Sequence, residues 1–163
     1  TAEVIATAGG KQALYNAAMC LFGEGDEVIT HVPGWPTLVE QIKLADATPV
    51  IVRTHAEDGF QVQAESILAA MTPRTRGIII NSPCNPTGAL IDEAAMAAVA
   101  DEAARRGIWI LLDLCYEKLI YDATPHNLPG VLASRLRGHT RNRRRAVIAA
   151  FARVHGPGLP PGR

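Results

Sequence analysis

Residues 77–88 read Gly77-Ile78-Ile79-Ile80-Asn81-Ser82-Pro83-Cys84-Asn85-Pro86-Thr87-Gly88. Three consecutive isoleucines without polar alternation predict a strand over Gly77–Asn81 that is buried on both faces, the pattern of a parallel sheet covered by helices. Two prolines and a glycine then forbid regular structure over the polar segment that follows. A strand that ends in such a loop has chemical meaning, because ligands of open α/β sheets bind beyond the carboxyl ends of the strands.

The same grammar extends in both directions. Downstream, Asp92–Arg106 has helical spacing, an acidic start (Asp92, Glu93), a basic end (Arg105, Arg106) and a stop at Gly107. Ile108–Asp113 is the next apolar strand, and a further helix is expected over Leu128–Leu136. Upstream, helices are expected over Lys11–Phe22, Trp35–Ala45 and Ala64–Met71, and strands over Val28–His31 and Pro49–Val52. Leu14, Ala17, Ala18 and Leu21 share one face of the first helix, and Gly23–Asp26 supplies turn chemistry after it. Alternating strands and helices with unbroken apolar strands predict an α/β fold, a mostly parallel sheet flanked by helices.

The 163 residues, 48% hydrophobic and 20% charged, suit one domain with a sizeable core and exclude collagen-like, disordered and disulfide-dense classes. No apolar run approaches the roughly 18 residues of a membrane helix. Three scattered cysteines (Cys20, Cys84, Cys115) form no C-x-x-C pair, fit a reducing cytoplasm and read as small buried hydrophobes. The five histidines show no metal-ligand spacing, and lone histidines of this kind read as structural. The net charge of zero conceals an asymmetry: residues 1–134 carry 8 Lys/Arg against 16 Asp/Glu, and residues 135–163 carry 8 Arg and no acid. Residues 141–163, first Arg-rich and then Gly/Pro-rich, are expected to be a divergent, disordered tail. A basic run can also contact nucleic acid, but no interleaved aromatics support that here.

Five kinds of group gather at the expected strand ends. Gly9-Gly10-Lys11 opens a helix whose bare N–H groups can hold an anion. Trp35 offers an aromatic plate, Asn85 an amide, Asp113 a buried carboxylate and Tyr116 a phenol. One ligand type asks for all five, a phosphorylated aromatic heterocycle with a ring nitrogen and a hydroxyl: pyridoxal 5'-phosphate.

These residues sit in six blocks: A-G-G-K-Q-A-L (8–14), G-D-E-V-I (25–29), P-G-W-P (33–36), T-P-R-T-R (72–76), N-S-P-C-N-P-T-G (81–88) and D-L-C-Y-E (113–117). With them the chain resembles, from about Val4 to Thr140, the large domain of the class I/II, fold type I, pyridoxal-phosphate aminotransferases, in particular the bacterial aspartate aminotransferase-like group. The resemblance implies that Gly9, Gly10 and Lys11 bind the cofactor phosphate and that Trp35 stacks on the ring. It implies that Asn85 and Tyr116 bond the ring hydroxyl and that Asp113 partners the ring nitrogen. Asn85 and Trp35 would also meet the substrate. It implies an amino acid and a 2-oxo acid as substrates, aspartate being one candidate donor, and a cytoplasmic homodimer. Two departures are Cys84, which stands where the block often has the first of two asparagines, and Gly34, where many members have tyrosine.

The resemblance also implies a lysine that forms a Schiff base with the cofactor, shortly beyond Thr140. The only lysines are Lys11, Lys43 and Lys118, none in that context. Residues 1–140 are therefore expected to be part of a longer cofactor-binding domain, inactive alone. A shift of reading frame near Arg141 is one expected cause of the break. A carbon–sulfur lyase or a decarboxylase on the same scaffold is the alternative activity.

Overall fold

The structure, a computed structural model, describes residues 5–121, 126–136 and the backbone of 147–150. The elements in chain order are α1 (Gly10–Leu21), β1 (Glu27–Val32), α2 (Pro36–Leu44), β2 (Thr48–Arg53), a 3₁₀ turn (Ala56–Asp58), α3 (Ala64–Ala69), β3 (Thr75–Asn81), α4 (Glu93–Arg106), β4 (Trp109–Asp113), α5 (Leu128–Leu136) and β5 (Val147–Ala150). The strands form one sheet in the order β2-β1-β3-β4-β5, and every neighbouring pair is parallel. The α/β class read from the isoleucine run is the observed one.

Side chains alternate across a strand with period two, so an unbroken apolar run feeds two cores. Ile78 and Ile80 of β3 and Ile110 and Leu112 of β4 pack with Ile67 of α3, Met96, Val99 and Ala100 of α4, and Leu128 and Leu132 of α5. Ile79 and Leu111 face the other way, into Leu14, Ala17 and Ala18 of α1 and Leu38 and Ile42 of α2. Each fully buried Ile, Leu, Val or Met among them contributes about 1.5–3 kcal/mol. Among the described residues, two helices therefore cover one face and three the other.

This division locates a crevice. From β1 the chain steps to β2 through α2 on one face. It then crosses to β3 and steps on to β4 through α3 and α4 on the opposite face. Right-handed crossovers require that change of face when the direction of stepping reverses. The loops leaving β1 and β3 thus diverge, and the switch point lies at their carboxyl ends. The N-terminus of α1 reaches the same edge. Its C-terminus joins β1 at the amino edge, and its 12 residues rise about 18 Å, close to the roughly 20 Å spanned by six-residue β1.

Local chemistry marks the termini of α4. Asp92 caps its start, with Oδ1 accepting from the backbone N–H of Ala94 (2.8 Å) and Ala95 (3.2 Å). Gly107 closes it at φ 72°, a left-handed conformation that costs glycine little. At the amino edge, Thr72 and Arg74 both donate to the Glu27 carboxylate, which holds its pKa below the ordinary value. The T-P-R-T-R block therefore acts as a sheet latch, remote from the carboxyl edge.

Two expectations differ from the structure. Val147–Ala150 lies in the tail expected to be disordered, yet it forms β5 beside β4, with Asp113 opposite Ala150. This segment covers the edge of β4. The remainder of 137–163 lies outside the described residues. Of the cysteines expected to be buried, Cys84 is, but Cys20 is exposed and Cys115 is half-buried. Cys20 falls on the solvent side of α1, where helical spacing directs it. No helix among the described residues is long and apolar enough to cross a membrane.

Candidate active site

The centre of the carboxyl edge is the in-register pair Asn81 and Asp113, at the ends of β3 and β4, each 2% exposed. Asn81 is the hub. Its Nδ2 donates to the Asp113 carbonyl (3.2 Å), and its Oδ1 accepts from the backbone N–H of Asn85 (2.7 Å). That second bond folds the loop back on the strand end and sets the direction of Asn85. The Asn85 side chain then reaches Tyr116, with Nδ2 3.5 Å from Oη. Asp113 is oriented from its own loop, Oδ1 accepting the Cys115 N–H at 3.2 Å. A carboxylate taken this far out of water needs a cationic or strong donor partner.

β1 contributes His31, which is also buried. Its Nε2 accepts the backbone N–H of Asn81 (3.3 Å). Burial pushes the His31 pKa below its usual value, and accepting an N–H at Nε2 requires that nitrogen to be unprotonated. Ser82 anchors the far side of the loop. Its Oγ accepts from the Ile91 N–H (3.1 Å) and lies 3.2 Å from His126 Nε2. Cys84 Sγ–H donates to the Pro33 carbonyl (3.4 Å), joining the loop after β3 to the loop after β1.

A second group forms where α1 meets α2. The Lys11 ammonium lies over the Trp35 ring, 5.2 Å from its centroid, within range of a cation–π contact. Trp35 itself is the residue before α2, half-buried against the α1/α2 core. Gly9 takes φ 87° as the N-cap of α1, and among the described residues no side chain caps this helix. The first-turn N–H groups are thus left for another acceptor. Beside Asn85 and Tyr116 opens a cavity of about 500 Å³, lined also by Pro83, Cys84, Leu90 and Leu119. Tyr116 is 38% exposed at its rim.

All seven residues singled out from the sequence thus have defined places. Asn85 contacts Tyr116 directly, Asn81 links Asn85 to Asp113, and Lys11 contacts Trp35. Gly9 and Gly10 open α1 at the same edge. Three residues that hold them in place were not singled out: His31, Asn81 and Gln41. Asn81 lies inside the quoted motif but ends the strand, where a capping role is the simpler reading. His31 reads as a lone structural histidine. Gln41 carried a usable signal, since it shares the buried stripe of α2 with Leu38 and Ile42.

The donor set fits a phosphorylated, protonated heterocycle. The N–H groups of a helix start can donate to phosphate, a buried carboxylate can accept a ring N–H, and an amide and a phenol side by side can donate to one ring oxygen. Comparison with known proteins agrees. The family model "Aminotransferase class I and II" matches residues 1–141. The chain is 41% identical over 131 residues to a probable aspartate/prephenate aminotransferase of Thermus aquaticus, covering 80% of this chain and 34% of that protein. It is 40% identical to the aspartate aminotransferase of Geobacillus stearothermophilus, covering 85% and 35%. Among solved structures, the Thermus thermophilus aspartate aminotransferase with maleate superposes with a TM-score of 0.76 at 36% identity, over 82% of this chain and 35% of that one. An aromatic aminotransferase from Pyrococcus horikoshii gives 0.69 at 32% identity, over 74% and 32%. The chain spans about a third of the length of the curated relatives it matches. It belongs to the class I and II aminotransferases, a family of pyridoxal-phosphate enzymes.

Proposed function

We propose that this chain is the cofactor-binding part of an aminotransferase that moves an amino group between an amino acid and a 2-oxo acid. Aspartate is the proposed donor, a choice supported by relatives named aspartate and aspartate/prephenate aminotransferases. The parent protein is proposed to be a cytoplasmic homodimer. The observation that carries the reading is the buried carboxylate of Asp113 at the end of β4, a residue whose backbone carbonyl is joined through Asn81 to the Asn85–Tyr116 pair.

Pyridoxal phosphate, when bound, supplies an electron sink that makes the substrate's α-proton labile. The chain's own groups have separable tasks. Asp113 holds a proton at the ring nitrogen. Asn85 and Tyr116 donate to the ring hydroxyl oxygen, and Asn85 and Trp35 border the substrate. Trp35 covers one ring face and excludes water from it. Gly9, Gly10 and Lys11 bind phosphate through backbone N–H groups, with the positive end of the α1 dipole behind them.

None of the chain's lysines has the setting of a covalent anchor. Lys11 lies on Trp35, Lys43 pairs with Glu40, and Lys118 sits beside Glu117. The chain alone is proposed to bind the cofactor without a covalent link and to be inactive. Titration with pyridoxal phosphate, followed by absorbance and tryptophan fluorescence, tests the reading. Saturable binding is expected, weakened about 10- to 100-fold by Asp113→Asn, the worth of one hydrogen bond to a charged group. Borohydride should fix no cofactor to the protein. Equal binding by wild type and Asp113→Asn would overturn the assignment.

A further inference from the structure

We propose that Gln41 is a positioning residue for anion binding: its buried amide holds the first turn of α1 in the orientation that receives the cofactor phosphate. This inference rests on the functional reading above.

Gln41 is 4% exposed, in the interior of α2 and between the apolar Leu38 and Ile42. Its Nε2 donates to the backbone carbonyl of Lys11 (3.1 Å), 30 residues away in sequence. Its Oε1 is buried and has no partner among the described residues. A half-satisfied amide in a hydrophobic stripe is a poor stabiliser, because the orphaned oxygen offsets what the single bond returns. An aliphatic side chain would pack the stripe at lower cost. The amide is better explained by what it holds.

What it holds is a peptide plane. The Lys11 carbonyl and the Gln12 N–H belong to one rigid unit. Fixing the direction of that oxygen fixes the direction of the N–H, one of the outward-pointing donors of the first turn. Lys11 is also tied at its other end, its ammonium resting on Trp35 at the start of the same α2. The turn proposed for phosphate is therefore tied twice to the segment that carries the aromatic plate, once by Gln41 and once by Trp35.

The test compares two probes, pyridoxal phosphate and pyridoxal, which differ only in the phosphate, on the 163-residue chain. Gln41→Met keeps the volume of the side chain and removes the donor. It should weaken pyridoxal phosphate binding about fivefold to tenfold, the effect of one lost neutral hydrogen bond, and leave pyridoxal binding within about twofold. Gln41→Asn, one methylene too short to reach Lys11, should lose the same discrimination and serves if the first variant fails to fold. Asp113→Asn is the contrast, weakening both probes alike. Equal losses for both probes in the Gln41 variants would assign Gln41 a merely structural role and overturn the proposal. So would unchanged discrimination between the probes. A wild-type chain that binds pyridoxal as well as pyridoxal phosphate would overturn the cofactor reading and this inference with it.

Discussion

Replacing His31 by leucine removes the acceptor for the Asn81 N–H at nearly constant volume. Asn81 is almost fully buried, so its N–H finds no water in exchange. Leaving such a donor unpaired costs about 1–3 kcal/mol, and the near-isosteric swap adds less than about 1.5 kcal/mol of packing change. The pH dependence separates this mechanism from a simple packing defect. The folded-state pKa of His31 lies below its unfolded value, which is about 6.5. Above that value neither state carries the proton, and the His31 contribution is complete. As pH falls below it, the unfolded chain binds a proton that the folded chain refuses. Wild-type stability then drops by up to about 1.4 kcal/mol per pH unit until the lower folded value is passed. His31→Leu lacks this linkage, so its deficit should be largest at about pH 7.5 and shrink towards about pH 5.5. Urea unfolding of both proteins across that range measures the difference, in which the other titrating groups cancel. Parallel stability curves, or equal stability at the upper end, would refute the assignment of His31 as a neutral acceptor.

Two further outcomes test the frame that holds the site. Asp92→Ala removes the side-chain cap at the start of α4 and should lower stability by about 1 kcal/mol in urea unfolding, without changing cofactor affinity. Gly77→Ala would place a Cβ 2.4 Å from the Phe22 ring between β3 and the end of α1. It should cost about 1–3 kcal/mol through overpacking, read as a lowered melting temperature.

Much of this architecture is legible in the chain itself. Ile78-Ile79-Ile80 can satisfy its apolar character only between two helical layers, so three residues imply a covered parallel sheet. Asp92 and Gly107 bound their helix by local hydrogen bonding and backbone conformation, which need no distant partner. The chemistry-bearing residues fall at strand ends, and strand ends are visible as the point where apolar runs give way to Pro, Gly, Asn and Asp. Val147–Ala150 was hidden by its surroundings. Four apolar residues behind Arg143-Arg144-Arg145 say little until the open edge of β4 is there to receive them.

The sequence by itself determined the α/β class and the family, and it supplied the residues proposed for the site, because these readings depend on residue type and order along the chain. Only the tertiary structure decided how the inventory is held: Asn81 joining Asn85 to Asp113, His31 supporting Asn81 from a strand 50 residues earlier, and Gln41 gripping the α1 turn across 30 residues. The reason is physical. Hydrophobic periodicity and capping act within one or two turns of chain, whereas a buried hydrogen bond gains its strength from whichever group the packed layers bring beside it.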